Sequence, residues 1–153
     1  MTTKVFRLLP GGDPTTGMQP SNFTDQDAFT TADKREVNHT FFQTEDGSTL
    51  SGVWECAPCR EEIDAYPVHE MMTVLAGSVT LTNADGSSDT FTAGDTFFIA
   101  KGTQCIWEIT ETLEELLQLV NVISTADFNT EKRKKEWQTT FALLSATKGI
   151  LAF

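Results

Sequence analysis

The sequence predicts an all-β fold, a sandwich or barrel built from consecutive short strands. Between residues 37 and 124, short apolar runs recur, and turn signals at 45–48, 84–87 and 93–95 separate them. The Asp-Gly pair at 85–86 is typical of a hairpin, because glycine readily adopts the positive φ that such a turn requires. We expect strands at residues 38–44, 49–56, 60–65, 69–76, 77–83, 88–92, 96–100, 104–110 and 116–123.

The two flanks of this segment differ from it in composition and in the spacing of their apolar residues. Residues 1–36 are rich in Pro, Gly, Thr and Asp, which indicates an N-terminal arm that lies over the domain. In the tail, Trp137, Phe141 and Leu144 follow helical spacing and predict one amphipathic helix over 131–148. The predicted organisation is therefore an arm (1–36), a β-barrel (37–124) and a C-terminal helical extension (125–153).

Length and charge exclude several classes of function. A chain of 153 residues suits one domain. Its 22 acidic residues against 11 basic ones give a net charge of −11, which opposes binding to nucleic acid or to an anionic membrane. No apolar run approaches the ~18 residues of a membrane span, and the N-terminus does not resemble a signal peptide. We expect a cytoplasmic protein.

The three cysteines argue against a disulfide framework, because their number is odd. Cys56 and Cys59 form a lone C-x-x-C, and a zinc site would need further ligands where only His39 and His69 are available. We expect packed thiols here, with metal or redox chemistry as the alternative.

The centre of the chain carries a family resemblance. Asp64-Ala65-Tyr66-Pro67-Val68-His69-Glu70 is followed after six residues by Gly77, and later come Gly94-Asp95, Ala100-Lys101-Gly102 and Cys105. These spacings resemble the two cupin motifs. Details at 52–55, 75–77 and 107–109 are similar to the subgroup named after (S)-ureidoglycine aminohydrolase, which includes the ethanolamine-utilisation protein Q type. The resemblance, over residues 45 to 123, implies a single cupin (RmlC-like) jelly-roll barrel with a central pocket, flanked here by the arm and the C-terminal α-helix.

At the four positions where the resemblance implies metal ligands, this chain departs from the family. It has Asp64, Tyr66, Glu70 and Cys105, and only Glu70 is of the expected type, since three histidines are replaced. This mixture of hard oxygen and soft sulfur donors suits no common metal. We therefore expect no tightly bound transition metal. A divalent metal held by Asp64, Glu70 and Cys105 is the alternative.

The same positions suggest a ligand pocket. Glu70 should share one strand face with Met72, and Cys105 should share another with Trp107. A carboxylate in such surroundings needs a partner, so Glu70 is either a ligand contact and general acid/base or a carboxylate held structurally by Tyr66. Trp54 and Trp107 are either pocket walls or core residues. The predicted ligand-binding residues are Trp54, Tyr66, Glu70, Cys105 and Trp107.

Three functions are consistent with these residues. The preferred one is binding of a small polar metabolite in the barrel, with catalysis unassigned. The second is a metal-dependent enzyme resembling ureidoglycine aminohydrolase. The third is a non-catalytic dimeric scaffold. The apolar end at 150–153 would be poorly covered in a monomer, so we expect a homodimer.

Overall fold

The computed structural model describes the backbone of residues 5–120 and the side chains of residues 5–116. Within this range it contains strands and no helix, which confirms the all-β prediction. The helix predicted at 131–148 and the apolar end at 150–153 lie outside the described residues. The strands are β1 (Gln19–Pro20), β2 (Glu36–Gln43), β3 (Thr49–Cys56), β4 (Cys59–Ile63), β5 (Glu70–Ala76), β6 (Ser78–Asn83), β7 (Ser88–Thr92), β8 (Thr96–Ile99), β9 (Cys105–Ile109) and β10 (Leu113–Val120).

The strands form two antiparallel sheets. One has six strands in the order β1-β2-β3-β10-β5-β8, and the other has four in the order β4-β9-β6-β7. Each strand from β2 to β10 begins within three residues of a predicted one. The largest offset is in β10, which begins at Leu113 rather than at residue 116.

The apolar core draws on both sheets. Trp54, Met72 and Leu113 come from the six-stranded sheet, and Val79 and Trp107 come from the four-stranded sheet. Inward and outward residues alternate along β5 and β9, as the spacing of their apolar residues predicted. Because buried residues of both sheets belong to one cluster, the inner faces of the sheets pack against each other.

The arm is attached to this core through a buried carboxylate. Glu36, at the start of β2, is only 4% exposed. Its carboxylate accepts hydrogen bonds from Ser21 Oγ at 3.0 Å, Phe23 N at 2.9 Å, Thr24 N at 3.0 Å and Trp54 Nε1 at 2.9 Å. Three of these donors belong to the arm and the fourth to β3, so this one side chain holds the arm against the sheet.

Gly77 connects the two sheets, since β5 and β6 on either side of it belong to different sheets. It has a φ of 78°, and a Cβ at this position would collide with the carbonyl oxygen of Thr112. Gly86 has a similar φ of 85° in the β6–β7 hairpin, but a Cβ there would meet nothing within 4 Å. The two glycines therefore share a backbone conformation and differ in the space around them.

This difference gives a test of the fold. We expect Gly77→Ala to lower the free energy of unfolding by about 3 kcal/mol, because it adds a backbone collision to the positive-φ penalty. Gly86→Ala should lower it by only about 1 kcal/mol, since it carries the φ penalty alone. Urea unfolding of both variants measures the two values, and equal losses would show that the contact of Gly77 with Thr112 is not tight.

Candidate functional site

A cavity of about 500 Å³ lies on the inner side of the six-stranded sheet and extends under the arm. Its walls come from the arm, from strands β2, β3, β4, β5, β9 and β10, and from the turn that precedes β5. The lining residues lie at 22–25, 38–40, 50, 52–54, 61–63, 66–68, 70, 72, 107 and 115.

Glu70 and Tyr66 form a hydrogen-bonded pair in the cavity wall. Glu70 is the first residue of β5 and is 6% exposed, and its Oε2 accepts a hydrogen bond from the Tyr66 hydroxyl. The backbone of Tyr66 is held in turn, because its N–H donates to Thr103 O at 2.8 Å and its carbonyl accepts from Gly102 N at 2.8 Å. The tyrosine is therefore a positioned donor for the carboxylate.

Burial changes the protonation of this pair. It raises the pKa of Glu70 from 4.5 to about 7, against the opposing effect of the Tyr66 hydrogen bond. Burial and the neighbouring charge of Glu70 also raise the pKa of Tyr66 well above its usual value, so the phenol stays protonated and donates. Glu70 can therefore gain or lose a proton near neutral pH.

A second carboxylate, Glu115, lines the same cavity and was not predicted from the sequence. It is 0% exposed, and neither of its carboxylate oxygens has a hydrogen-bond partner among the described residues. Burial, and then the charge of Glu70, raise its pKa well above the usual value. Glu115 was missed because the last strand was predicted to begin at residue 116. The apolar residue Leu113 could have indicated an earlier start of this strand. With that start, Glu115 lies two residues after Leu113 and on the same face of the strand.

The two predicted tryptophans are both cavity wall and core. Trp54 and Trp107 are buried, line the cavity and meet edge to face, with ring centroids 6.2 Å apart and planes at 75°. Trp107 also contacts Phe97 at a centroid distance of 6.2 Å. The two interpretations of these residues are therefore compatible: each ring packs in the core and presents part of its surface to the cavity.

The remaining predicted site residues do not line the cavity. Asp64 is exposed and Cys105 is buried, and neither lines the cavity. Across residues 5–116 there is no group of three or more His, Cys, Asp or Glu side chains arranged to hold a metal ion. The residues at the four positions where the resemblance implied metal ligands therefore do not fit a metal centre.

The C-x-x-C pair lies beneath the arm. Cys56 and Cys59 are buried free thiols, as is Cys105. Cys56 Sγ lies 3.7 Å from Thr24 Oγ1, and the hydrogen bond with Cys59, together with burial, raises the pKa of Cys56. Cys56 and Cys59 both belong to the core cluster, which agrees with packed thiols.

Most of the strands that surround the cavity lie in a segment of the sequence that matches a known protein family. Residues 43–115 match the family model of the EutQ-like cupin domain. This segment, just under half of the chain, is therefore similar to a cupin domain. A search of curated proteins found no match. The ureidoglycine aminohydrolase part of the resemblance remains a prediction.

Solved structures with the same fold come from several organisms. A protein of unknown function from Pseudomonas syringae pv. tomato is 26% identical with a TM-score of 0.62, and the match covers 71% of this chain and 46% of that one. A putative ethanolamine utilization protein Q from Salmonella typhimurium is 19% identical with a TM-score of 0.50, covering 58% and 72%. The cupin domain of Schizosaccharomyces pombe Cnp3 is 15% identical with a TM-score of 0.50, covering 67% and 73%.

The similarity to these structures supports conclusions about the fold. At the identities of the Salmonella and Schizosaccharomyces proteins, the likeness shows the fold alone. This chain spans less than half of the length of the Pseudomonas protein. In the part of the chain that the structure describes, no helix is long and apolar enough to cross a membrane. The expected cytoplasmic location remains a prediction.

The pKa of Glu70 predicts how stability depends on pH. A carboxyl group whose pKa is higher in the folded than in the unfolded protein stabilises the fold below its unfolded pKa of about 4.5, and this stability is lost as the pH rises through about 7. We therefore expect the free energy of unfolding to fall by about 3 kcal/mol between these values because of Glu70. Glu115 should lower it further in the same direction.

Urea unfolding between about pH 5 and about pH 8 measures this slope. Glu70→Gln should flatten it, because glutamine does not titrate, whereas Glu45→Gln in the exposed 45–48 turn should leave it unchanged. A wild-type stability that rises with pH over this range would contradict the assignment.

The arm gives a separate prediction. Glu36→Ala removes the acceptor for four donors, among them the buried Thr24 N–H and Trp54 Nε1. We expect a loss of about 3 kcal/mol in the free energy of unfolding, since buried donors without acceptors cost about 1–3 kcal/mol each and some will recover water. The arm should also become sensitive to limited proteolysis between residues 19 and 30. Intact resistance to protease would show that Glu36 does not hold the arm.

Proposed function

We propose that this cupin protein binds a small polar metabolite in the cavity between Glu70, Glu115 and the two tryptophans. The observation that carries the proposal is the Tyr66–Glu70 pair, a positioned polar group in the wall of a cavity of about 500 Å³. Small-molecule sites usually occupy about 300–1,000 Å³, with apolar or aromatic walls and a few fixed polar groups. The cavity has this composition, with Trp54 and Trp107 beside the carboxylates.

The burial of the two carboxylates supports the same proposal. A buried carboxylate without hydrogen-bond partners costs several kcal/mol, and a core of apolar residues would avoid this cost. Glu70 has one donor and Glu115 has none among the described residues. A ligand that donates hydrogen bonds to both groups would offset this cost.

The enzymatic alternative receives less support from the site. A ureidoglycine aminohydrolase-like reaction would use a divalent metal, but Asp64 is exposed and Cys105 does not line the cavity. Should a bound ligand react, Glu70 is the group placed to exchange a proton near neutral pH. We assign no reaction.

Thermal denaturation with a panel of small polar metabolites tests the proposal. We expect at least one amine, ureide or sugar-like compound to raise Tm saturably, because binding to the folded state alone adds about 2.7 kcal/mol at a hundredfold excess over Kd. The ligand should also change tryptophan fluorescence, since Trp54 and Trp107 line the cavity.

Two variants connect this response to the site. Tyr66→Phe and Glu70→Gln should each weaken binding by about tenfold or more, the cost of losing one hydrogen bond to a charged group. Glu45→Gln, away from the cavity, is the control and should bind as the wild type does. If no compound in a broad panel shifts Tm, the proposal is wrong. If a ligand binds equally to all variants, its site is elsewhere.

A further inference from the structure

The charges that line the cavity are almost all of one sign. Its ionisable residues are Asp25, His39, Glu61, Glu62, Glu70 and Glu115, besides the tyrosine already described. Among residues 5–116, no Lys or Arg lines the cavity, so an anionic ligand would find no Lys or Arg counter-charge on this part of the wall. Acidic side chains around one space attract cations and repel anions when they are ionised, and a bound cation favours the ionised forms of Glu70 and Glu115, whose pKa values burial raises.

Glu115 supplies a second, independent observation. It is buried, lines the cavity, and has no partner for either oxygen within the described chain. Its strand is paired with β3 on one side and β5 on the other, so the neighbouring backbone N–H groups are engaged in the sheets. Within the described chain, the cavity is therefore the side from which a donor can reach Glu115.

We infer that the ligand carries a protonated amine, and that this ammonium group binds the carboxylate of Glu115 in the cavity that Glu70 also lines. The inference rests on the proposed function and names the chemical class of its ligand. An ammonium group offers three donors and a positive charge, which matches two inward-facing carboxylates. Trp54 and Trp107 line the same cavity, and aromatic side chains are favourable neighbours for such a cation.

An organic cation fits this site better than a metal ion. The described residues contain no cluster of three metal-ligating side chains, and two carboxylates leave most of a metal's coordination positions unfilled. The cavity of about 500 Å³ is much larger than a single ion, and it is bounded by Leu50, Val53 and Met72. These apolar walls suit the carbon chain of an amine.

Three probes of equal chain length separate the charge classes: 4-aminobutan-1-ol, butane-1,4-diol and 4-hydroxybutyrate. They differ only in the terminal group, which is cationic, neutral or anionic near neutral pH. Titration calorimetry and thermal shift on the full chain should show the amine binding at least about tenfold more tightly than the diol, and the carboxylate not at all. Magnesium chloride and calcium chloride are titrated in the same way.

The matched variants are Glu115→Gln and Glu114→Gln. Both replace a carboxyl group by an amide on adjacent residues of β10, but Glu115 lines the cavity, whereas Glu114 accepts a hydrogen bond from Gly11 N at 2.9 Å. Glu115→Gln should weaken amine binding at least about tenfold and reduce the preference for amine over diol. Glu114→Gln should retain both. Should Glu115→Gln fail to fold, Glu70→Gln is compared in the same way.

The outcomes separate this inference from the proposed function. If the diol or the carboxylate binds best, the cavity binds a ligand but the amine class is wrong. Amine binding that survives Glu115→Gln, or a metal response that requires Glu115 without an amine response, also overturns the inference. If none of the three probes binds, the tightest-binding compound of the metabolite panel tests the inference. A cationic amine supports the inference, and a neutral or anionic compound overturns it. If nothing in the panel binds, the proposed function and this inference are both wrong.

Discussion

Strand β10 is hydrogen-bonded on both sides, and this double pairing determines which side chains face the cavity. Its register places Glu115 opposite Trp54 of β3 and opposite Val74 of β5, with an irregularity between Glu114 and Glu115 on the β5 side. Because side chains alternate along a strand, a shift of one residue would turn Glu115 outward and take the buried Leu113 out of the core. The burial of Leu113 thus maintains the register that presents Glu115 to the cavity.

Three buried glutamates differ in how fully their carboxylates are hydrogen-bonded. Glu36 accepts from four donors, Glu70 accepts from the Tyr66 hydroxyl, and Glu115 has no partner among the described residues. All three are at most 6% exposed, so burial alone does not distinguish them. A fully satisfied carboxylate stabilises the fold and holds the arm in place. An unsatisfied one is costly in the free protein and is stabilised when a donor enters the cavity.

The cupin architecture provides a cavity without specifying its chemistry. The family match over residues 43–115 and the likeness to solved structures concern the fold. The side chains on the inner faces differ from the family's usual ligand set, because Tyr66 and Cys105 replace histidines and Asp64 is exposed. One barrel can host unrelated chemistries for this reason, and its function has to be argued from the side chains of the site.

The sequence alone determined the all-β class, the order of the strands from β2 to β10, and the inward direction of Glu70, because turn residues and two-residue alternation are local properties of the chain. It also identified Tyr66, Trp54 and Trp107, which line the cavity. It missed Glu115, since apolar periodicity marks the end of a strand poorly, and it did not assign Glu36 as the residue that holds the arm. Only the tertiary structure decided that Glu115 lies beside the cavity with Glu70 while Asp64 and Cys105 do not line it. Alternation tells which side of a strand is buried, but which strands then face each other depends on contacts between residues far apart in the chain.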